Sequence, residues 1–98
     1  MVAIARNREK CTHIAQMLKA LGHPIRLQIV ALLCEEALHV SALAERLGVA
    51  QAVVSQQLGI LRMRGLVASR RQGGLAIYRL AEPRLRQLVD CMEGCEVR

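Results

Sequence analysis

The sequence predicts a mainly α-helical domain that carries one small β-hairpin. Apolar residues recur at helical spacing along most of the chain, a glycine separates two short helices near its middle, and a Gly-Gly pair separates two β-prone runs after them. Two short helices joined by a tight turn form a helix-turn-helix, and a hairpin that follows them forms a wing. The predicted fold class is therefore a winged helix-turn-helix, as one domain over residues 1–98.

Two helices are predicted ahead of this turn. Helical spacing of apolar residues predicts the first over about residues 6–21, and Gly22 ends it. Pro24 suits the first position of the second helix, where its missing N–H costs nothing, and that helix is expected to end near Glu36. The apolar stripe of the first helix comprises Ile14, Met17, Leu18 and Leu21.

The helix-turn-helix is predicted over about residues 41–65. Ser41 is the expected N-cap of a short helix at Ala42–Leu47, and Gly48 supplies the positive φ of a tight stop. The second helix is expected at about Gln51–Arg64. Its buried face comprises Val54, Leu58 and Leu61.

The wing is predicted over about residues 66–80. Gly73-Gly74 lies between the β-prone runs LVASRR and LAIYRL, which predicts a two-residue hairpin turn. The last helix is expected to start at Pro83, a favoured first position, and to reach about residue 95. Its apolar stripe comprises Leu85, Leu88, Val89 and Met92.

Composition limits where the chain is expected to act. The longest apolar run, Ile29–Cys34, is far too short to cross a bilayer, and the first ten residues lack the apolar segment of a secretory signal. We therefore expect a cytoplasmic protein without membrane partners. A reducing cytosol disfavours disulfides, so the four cysteines are expected to be either buried apolar residues or reactive thiols.

The positive charge of the chain is concentrated in one segment. The net charge is +6, and no acidic residue occurs between Glu45 and Glu82, a stretch that holds six arginines. A block of one sign inside a folded domain attracts a polyanion. The alternative is an arginine-rich surface that is merely solvated.

The second helix of the helix-turn-helix has an exposed face without carboxylates. In this motif that helix enters the major groove, where Gln pairs with adenine, Arg with guanine and Ser with several bases. We therefore expect Gln51, Ser55 and Gln56 to contact bases, and Gln57 and Arg62 to reach phosphates. The alternative is a neutral solvated face.

The hairpin adds basic residues beside this helix. Arg70 and Arg71 lead into the Gly73-Gly74 tip, as expected of a wing that touches the DNA backbone or minor groove. Such contacts supply affinity and salt dependence rather than sequence specificity. The alternative is a hairpin that only caps the domain.

Three stretches resemble the ArsR/SmtB family of bacterial transcriptional repressors. They are LKALGHPIRLQIVALL, SALAERLGVAQAVVSQQLGILRMRGLV and SRRQGGLAIYRL, within about residues 17–80. The resemblance implies a winged-helix homodimer built from the first and last helices, bound to an inverted-repeat operator in double-stranded DNA until a metal, metalloid or thiol-reactive signal releases it. Ala50 stands where the family often has Ser, so a cap worth about 1 kcal/mol is absent.

The metal sites implied by the resemblance are poorly matched. The family's cysteine box corresponds here to residues 37–42, where only His39 could ligate a metal. Zinc-responsive members place carboxylates and histidines on the last helix. Glu82 matches the first of these ligands. Arg84 and Arg98 stand at the positions of two other ligands, and Cys95 stands at the position of the remaining one.

The remaining candidates for sensing are the thiols. Cys91 and Cys95 are spaced i, i+4 and are expected on one face of the last helix, where soft thiolates would suit arsenite or another soft metal, or persulfide and oxidant chemistry. Arg84, Arg86 and Arg98 are near enough in sequence to lower a thiol pKa. Cys11 and Cys34 are weaker candidates, Cys11 as a third sulfur within the dimer.

A purely structural role remains an alternative to a sensing role for each of these cysteines. Cys34 continues an apolar helix face, and Cys91 and Cys95 would also suit packing in a dimer interface. The persulfide-responsive branch of the family uses one cysteine in the second helix, where this chain has Ala31.

Two other classes of function are weighed against DNA binding. A winged-helix protein–protein adaptor remains the alternative, although the acid-free segment argues against it. An enzyme is not expected, because no Ser/His/Asp set, paired carboxylates or phosphate-binding glycine loop occurs. No cofactor is expected to be required for DNA binding, and one Tyr with no Phe or Trp offers no stacking platform for RNA.

Overall fold

The computed structural model describes residues 3–95. The five predicted helices and the predicted hairpin occur in the expected order, and a short 3-10 turn, Ala3–Arg6, precedes them. A further strand lies between the second and third helices. The helices are α1 (Arg8–Leu21), α2 (Pro24–Glu35), α3 (Val40–Leu47), α4 (Gln51–Met63) and α5 (Leu85–Glu93). The strands are β1 (Leu38–His39), β2 (Val67–Gln72) and β3 (Leu75–Leu80). The predicted winged helix-turn-helix architecture is confirmed.

Side-chain caps fix where the first two helices begin. The Asn7 carboxamide accepts a hydrogen bond from the Lys10 N–H at 2.9 Å, and α1 therefore begins at Arg8, two residues later than predicted. His23 caps α2 through Nδ1, which accepts from the Ile25 N–H at 3.2 Å. Both caps satisfy N–H groups that the first turn of a helix leaves unpaired.

The N-cap of α3 differs from the prediction. His39, and not Ser41, is the capping residue, because its Nδ1 accepts from the Ser41 N–H at 3.1 Å. The Ser41 hydroxyl lies 2.5 Å from the same nitrogen. The helix consequently starts at Val40, and His39 has a structural role in its first turn.

The core is formed by aliphatic side chains from the helices and the sheet. α4 contacts α2 and α3, α5 packs mainly on α2, and Val67 at the start of β2 is buried. The predicted buried face of α4 is confirmed, because none of its three leucine and valine side chains is exposed. The fully buried side chains are Ile29, Val30, Leu33, Leu43, Val54, Leu58, Leu61 and Leu85.

The sheet is antiparallel, with strand order β1-β3-β2. Gly73 and Gly74 form the hairpin turn with φ of +61° and +81°, a conformation that side chains with a Cβ rarely adopt. Gln72 pairs with Leu75 and Val67 with Leu80, so the predicted hairpin is confirmed in this register. β1 was not predicted, because a strand of two residues has no periodicity.

The last helix is shorter than predicted. The Glu82 carboxylate accepts the Arg84 N–H at 3.1 Å, and the chain turns there before α5 begins at Leu85 instead of Pro83. At the other end Gly94 is the C-cap, so Cys95 lies beyond the helix. Its N–H donates to the Met92 carbonyl at 2.9 Å in a final turn.

α1 lies at the periphery of the domain. It packs mainly on α2 and on the preceding 3-10 turn, and Leu18 of its apolar stripe remains 48% exposed. Among residues 3–95, no single helix has the length and apolar character of a membrane span. α1 and α2 satisfy those two criteria only when joined, and they bend by 98° at the break between them.

Candidate nucleic-acid interface and thiol sites

The turn between α3 and α4 orients the second helix. Gly48 adopts φ +65°, the left-handed conformation expected from the sequence, and its N–H donates to the carbonyls at the end of α3. The Val49 N–H donates to the Ala44 carbonyl at 3.1 Å, which closes the turn. α4 then begins without a side-chain cap at Ala50, as predicted.

The outward face of α4 carries no charge until its last turn. At about 3.6 residues per turn, Gln56 lies opposite the buried face and near Met63, whose side chain is 87% exposed. Gln51 and Ser55 are also exposed and share one flank with Arg62. The three predicted base-contacting residues and Arg62 are therefore available to a ligand that approaches this face.

Gln57 requires a correction. Its side chain is buried, with 9% exposure, and its Oε1 accepts a hydrogen bond from Arg26 Nη1 at 2.9 Å. The expectation that Gln57 reaches a phosphate is therefore wrong. Helical periodicity already indicated this, because on the helical wheel Gln57 lies next to Leu61, at the edge of the predicted apolar face.

The wing places its arginines on two different faces. In the hairpin register Arg70 is opposite Ile77 and Arg71 is opposite Ala76, and neighbouring residues of a strand point to opposite faces. Arg71 Nη1 donates to the Gly74 carbonyl at 2.9 Å across the tip of the hairpin. Both guanidinium groups are exposed, but they cannot approach one ligand from the same face.

Sequence reasoning missed one residue of this wing surface. Arg79 shares its face with Arg70, Gln72 and Ile77, and together with Ala37 these residues line a shallow hollow of about 190 Å³. A two-residue turn at Gly73-Gly74 fixes the pairing of the strands, so alternation with a period of two could have identified Arg79. The outer wing surface therefore has two arginines, Arg70 and Arg79.

One arginine of the acid-free segment forms an ion pair with a glutamate that lies outside this segment in the sequence. Arg46 Nη2 lies 2.6 Å from Glu36 Oε1, and both side chains are about half exposed. The other arginines of the segment form no ion pair with any carboxylate of residues 3–95. They are Arg62, Arg64, Arg70, Arg71 and Arg79, at the end of α4 and on the wing.

The cysteines do not converge within one chain. Cys11, Cys91 and Cys95 are exposed, and Cys34 is partly buried against the core. Within residues 3–95, no three His, Cys, Asp or Glu side chains form a group that could hold a metal ion. Cys11 Sγ donates to the Ile4 carbonyl at 3.0 Å. Cys91 lies on α5 and Cys95 lies two residues beyond its last residue, Glu93, so the expectation that both thiols lie on one helix is wrong. The Cys95 Sγ nevertheless lies 4.0 Å from the Cys91 carbonyl oxygen.

The environment of Cys34 differs from that of the other thiols. Burial raises the pKa of the Cys34 thiol above its usual range, and the nearby Arg86 only partly opposes this effect. Arg86 itself donates a hydrogen bond to the Cys34 carbonyl. A protonated, partly buried thiol is a poor nucleophile, which favours the structural reading of Cys34.

The residues at the matched zinc positions are paired with each other. Arg84 Nε donates to Glu82 Oε1 at 2.7 Å, and hydrogen bonds from Arg84 lower the pKa of the Glu82 carboxyl to about 2. Two of the arginines expected near the C-terminal thiols are thus engaged elsewhere, Arg84 with Glu82 and Arg86 with Cys34. Arg98 lies outside the described residues.

A helix-turn-helix with an acid-free outer face, followed by a basic wing, defines the class of winged helix-turn-helix regulators. Comparison with known proteins places the chain within that class. The model of the family described as "Bacterial regulatory protein, arsR family" matches residues 23–69. The chain belongs to this ArsR family of transcriptional regulators, and the resemblance seen in the sequence is confirmed.

Individual relatives agree with this assignment. The "Biofilm growth-associated repressor" of Xylella fastidiosa is 39% identical over 84 residues, which cover 86% of this chain and 74% of the relative. The crystal structure of the transcriptional repressor BigR from the same species matches with a TM-score of 0.86 and 35% identity over 99% of this chain and 100% of that one. These relatives are repressors, which confirms the expectation that the chain is not an enzyme.

A further structure bears on the quaternary state of the fold. It is a homodimeric winged helix-turn-helix DNA-binding domain from Mycobacterium bovis, described as a possible ArsR-family regulator. It matches with a TM-score of 0.77 and 34% identity, over 90% of this chain and 84% of that chain.

Proposed function

We propose that this protein is a homodimeric repressor that binds an inverted-repeat operator in double-stranded DNA and leaves it when thiols near its C-terminus react. In this proposal α4 enters the major groove and the wing contacts the backbone beside it. Such a regulator acts in the cytoplasm, where the bacterial chromosome is, and needs no cofactor to bind.

One observation carries the DNA-binding part of the proposal. The exposed face of α4 is free of carboxylates, and the arginines next to it form no ion pair with any carboxylate among residues 3–95. A phosphate backbone would bring the missing counter-charge, while the amides of Gln51 and Gln56 match the base edges of adenine. A solvated surface would gain nothing from the absence of Glu and Asp.

The dimer is supported by the helices that the monomer leaves partly uncovered. Leu18 on α1 is 48% exposed, and α5 packs mainly on α2. A two-fold dimer would place two copies of α4 about one turn of DNA apart, which predicts an operator with two inverted half-sites.

The signalling part rests on the exposure of Cys91 and Cys95. Trivalent arsenic would exchange a hydroxide for each thiolate, with one water released per As–S bond formed from a thiol. Alternatively, a polysulfide would accept two electrons while two thiols form a disulfide and release two protons. Cys11 would contribute a third sulfur only from a partner subunit, because no group of three possible ligands forms among residues 3–95 of one chain.

The decisive experiment is selection from a random pool of duplexes, followed by fluorescence anisotropy with the enriched sequence. We expect an inverted repeat, and a binding constant whose logarithm falls with log[salt] at about 0.9 per phosphate contacted. Arsenite and a polysulfide are then added separately to the complex. Failure to enrich any sequence would contradict the proposal and favour the adaptor alternative.

Cys91→Ser tests the sensing role. The variant is expected to bind the enriched duplex as the wild type does, and to stay bound after the reagent that releases the wild type. Cys34→Ala serves as the matched control, and we expect it to respond normally. A full response from Cys91→Ser would exclude Cys91 as a sensor.

A further inference from the structure

Arg26 connects three helices through one guanidinium group. Its Nε donates to the carbonyl of Ala20 at 2.5 Å, in the last turn of α1. Its Nη1 donates to Gln57 Oε1 at 2.9 Å, in the middle of α4. The side chain on α2 thus links the helix expected to form the dimer to the helix expected to read DNA.

Gln57 is the one buried polar side chain among residues 3–95. Its neighbours on the same face of α4, Val54, Leu58 and Leu61, are completely buried and apolar. A buried carboxamide without a partner would be strongly unfavourable, so the rotation of α4 that delivers Gln57 Oε1 to Arg26 is favoured over others. Aliphatic contacts alone tolerate small rotations, whereas a hydrogen bond from a charged donor is directional.

The same rotation determines where the outward face of α4 points. Gln56 immediately precedes Gln57 and is exposed. Since the two residues are about 100° apart around the helix, holding one fixes the direction of the other. The Arg26–Gln57 hydrogen bond therefore bears on the angle at which Gln56 meets a ligand.

We infer that Arg26 is a positioning residue for DNA recognition, which through Gln57 and the Ala20 carbonyl holds the rotation of α4 fixed relative to α1. The inference deepens the proposed function and rests on it. In a dimer built on α1, this link sets the direction of both copies of Gln56 towards their half-sites. Arg26 itself contacts no DNA.

The test compares discrimination with overall affinity. Discrimination is the ratio of dissociation constants for an unrelated duplex and for the duplex that wild type enriches from a random pool. Arg26→Met and Gln57→Leu are each expected to lower this ratio by about tenfold, equivalent to about 1.4 kcal/mol. The double variant is expected to lose no more than Arg26→Met alone, because Gln57→Leu removes only a bond that Arg26→Met already removes.

Two further variants separate positioning from charge and from stability. Arg8→Met removes an exposed positive charge from α1 and should leave the ratio unchanged. Any loss of affinity that results from the missing charge alone should be the same in Arg8→Met and Arg26→Met. Gln57→Glu keeps an acceptor for Arg26 and is expected to retain the wild-type ratio. The thermal unfolding midpoint of every variant is also measured. If Arg26 acted only through stability, the discrimination ratio would fall in proportion to the unfolding midpoint across the variants.

Two results would overturn the inference. One is an unchanged ratio in both Arg26→Met and Gln57→Leu, and the other is a loss in Gln57→Glu as large as that in Gln57→Leu. Amide hydrogen exchange on the DNA-free protein tests the link between α1 and α4 without any need for an operator sequence. Arg26→Met should speed exchange in the last turn of α1 and in α4 together, and unchanged exchange there would contradict the link even if wild type enriched no sequence.

Discussion

Gln56 and Gln57 are neighbours in sequence, but Gln56 is exposed on α4 while Gln57 is buried and bound to Arg26. The two identical side chains therefore have different roles. One is free to meet a ligand, and the other belongs to the interior that holds the helix in place.

Gln56→Ala is expected to reduce discrimination between the enriched duplex and an unrelated one, by about 1–3 kcal/mol for the lost bidentate contact. Non-specific affinity should not change, because the amide carries no charge. Gln28→Ala, which removes an exposed amide from α2, is the control. Anisotropy titrations measure both, and equal effects from the two variants would count against base contact by Gln56.

Arg70 and Arg71 provide a matched pair on the wing. Arg70→Ala is expected to weaken binding to all duplexes alike and to reduce the salt slope by about 0.9, the value for one phosphate contact. Arg71→Ala removes the same charge, but its guanidinium is bound to the Gly74 carbonyl on the opposite face. We expect a smaller change of slope, so a larger effect of Arg71→Ala would show that the inner face of the wing meets the backbone.

Gly59 lies in the interior of α4 with open space where a Cβ would be. Gly59→Ala is expected to raise the free energy of unfolding by about 0.5–1 kcal/mol, because glycine is a poor helix former. Gly48→Ala should act oppositely, by roughly 1–2 kcal/mol, since Gly48 has φ +65°. Urea unfolding measures the free energy of unfolding of both variants and of the wild type. Destabilisation by Gly59→Ala would imply that a Cβ at position 59 meets a steric conflict.

The Glu82–Arg84 pair predicts a pH dependence of stability. The pKa of Glu82 falls from 4.5 to about 2 in the folded chain, so its stabilising contribution is present above about pH 4.5 and is lost as the pH falls towards 2. Glu82→Gln is expected to be less stable than wild type near neutrality and equal to it at the acid end. Urea midpoints across this range test the expectation, with Glu45→Gln as an exposed-carboxylate control.

The thiols should differ in reactivity. Burial raises the pKa of Cys34, so alkylation of Cys34 by iodoacetamide at neutral pH is expected to be slower than that of the exposed Cys91. Peptide mass spectrometry after timed quenching reports each site separately. Faster labelling of Cys34 would indicate that the segment around α2 opens more readily than its packing suggests.

Local patterns in the sequence were enough to predict the order of the elements. Helical spacing identified the buried face of α4, and Gly48 and the Gly73-Gly74 pair marked the two turns that define the fold. These features depend on residues close together in the chain, where periodicity and backbone conformation act directly. The exposed amides of α4 and the acid-free segment were predicted for the same reason.

The tertiary structure decided what depends on contacts between distant residues. Arg26 and Gln57 are 31 positions apart, and no local pattern indicates that one will satisfy the other in the interior. Likewise Glu36 neutralises Arg46 only because α2 and α3 meet, whereas Arg70 and Arg71 point to opposite faces simply because they are neighbours on one strand. The sequence by itself determined which surface would be basic and amide-rich, whereas packing determined which of those side chains remain free to bind.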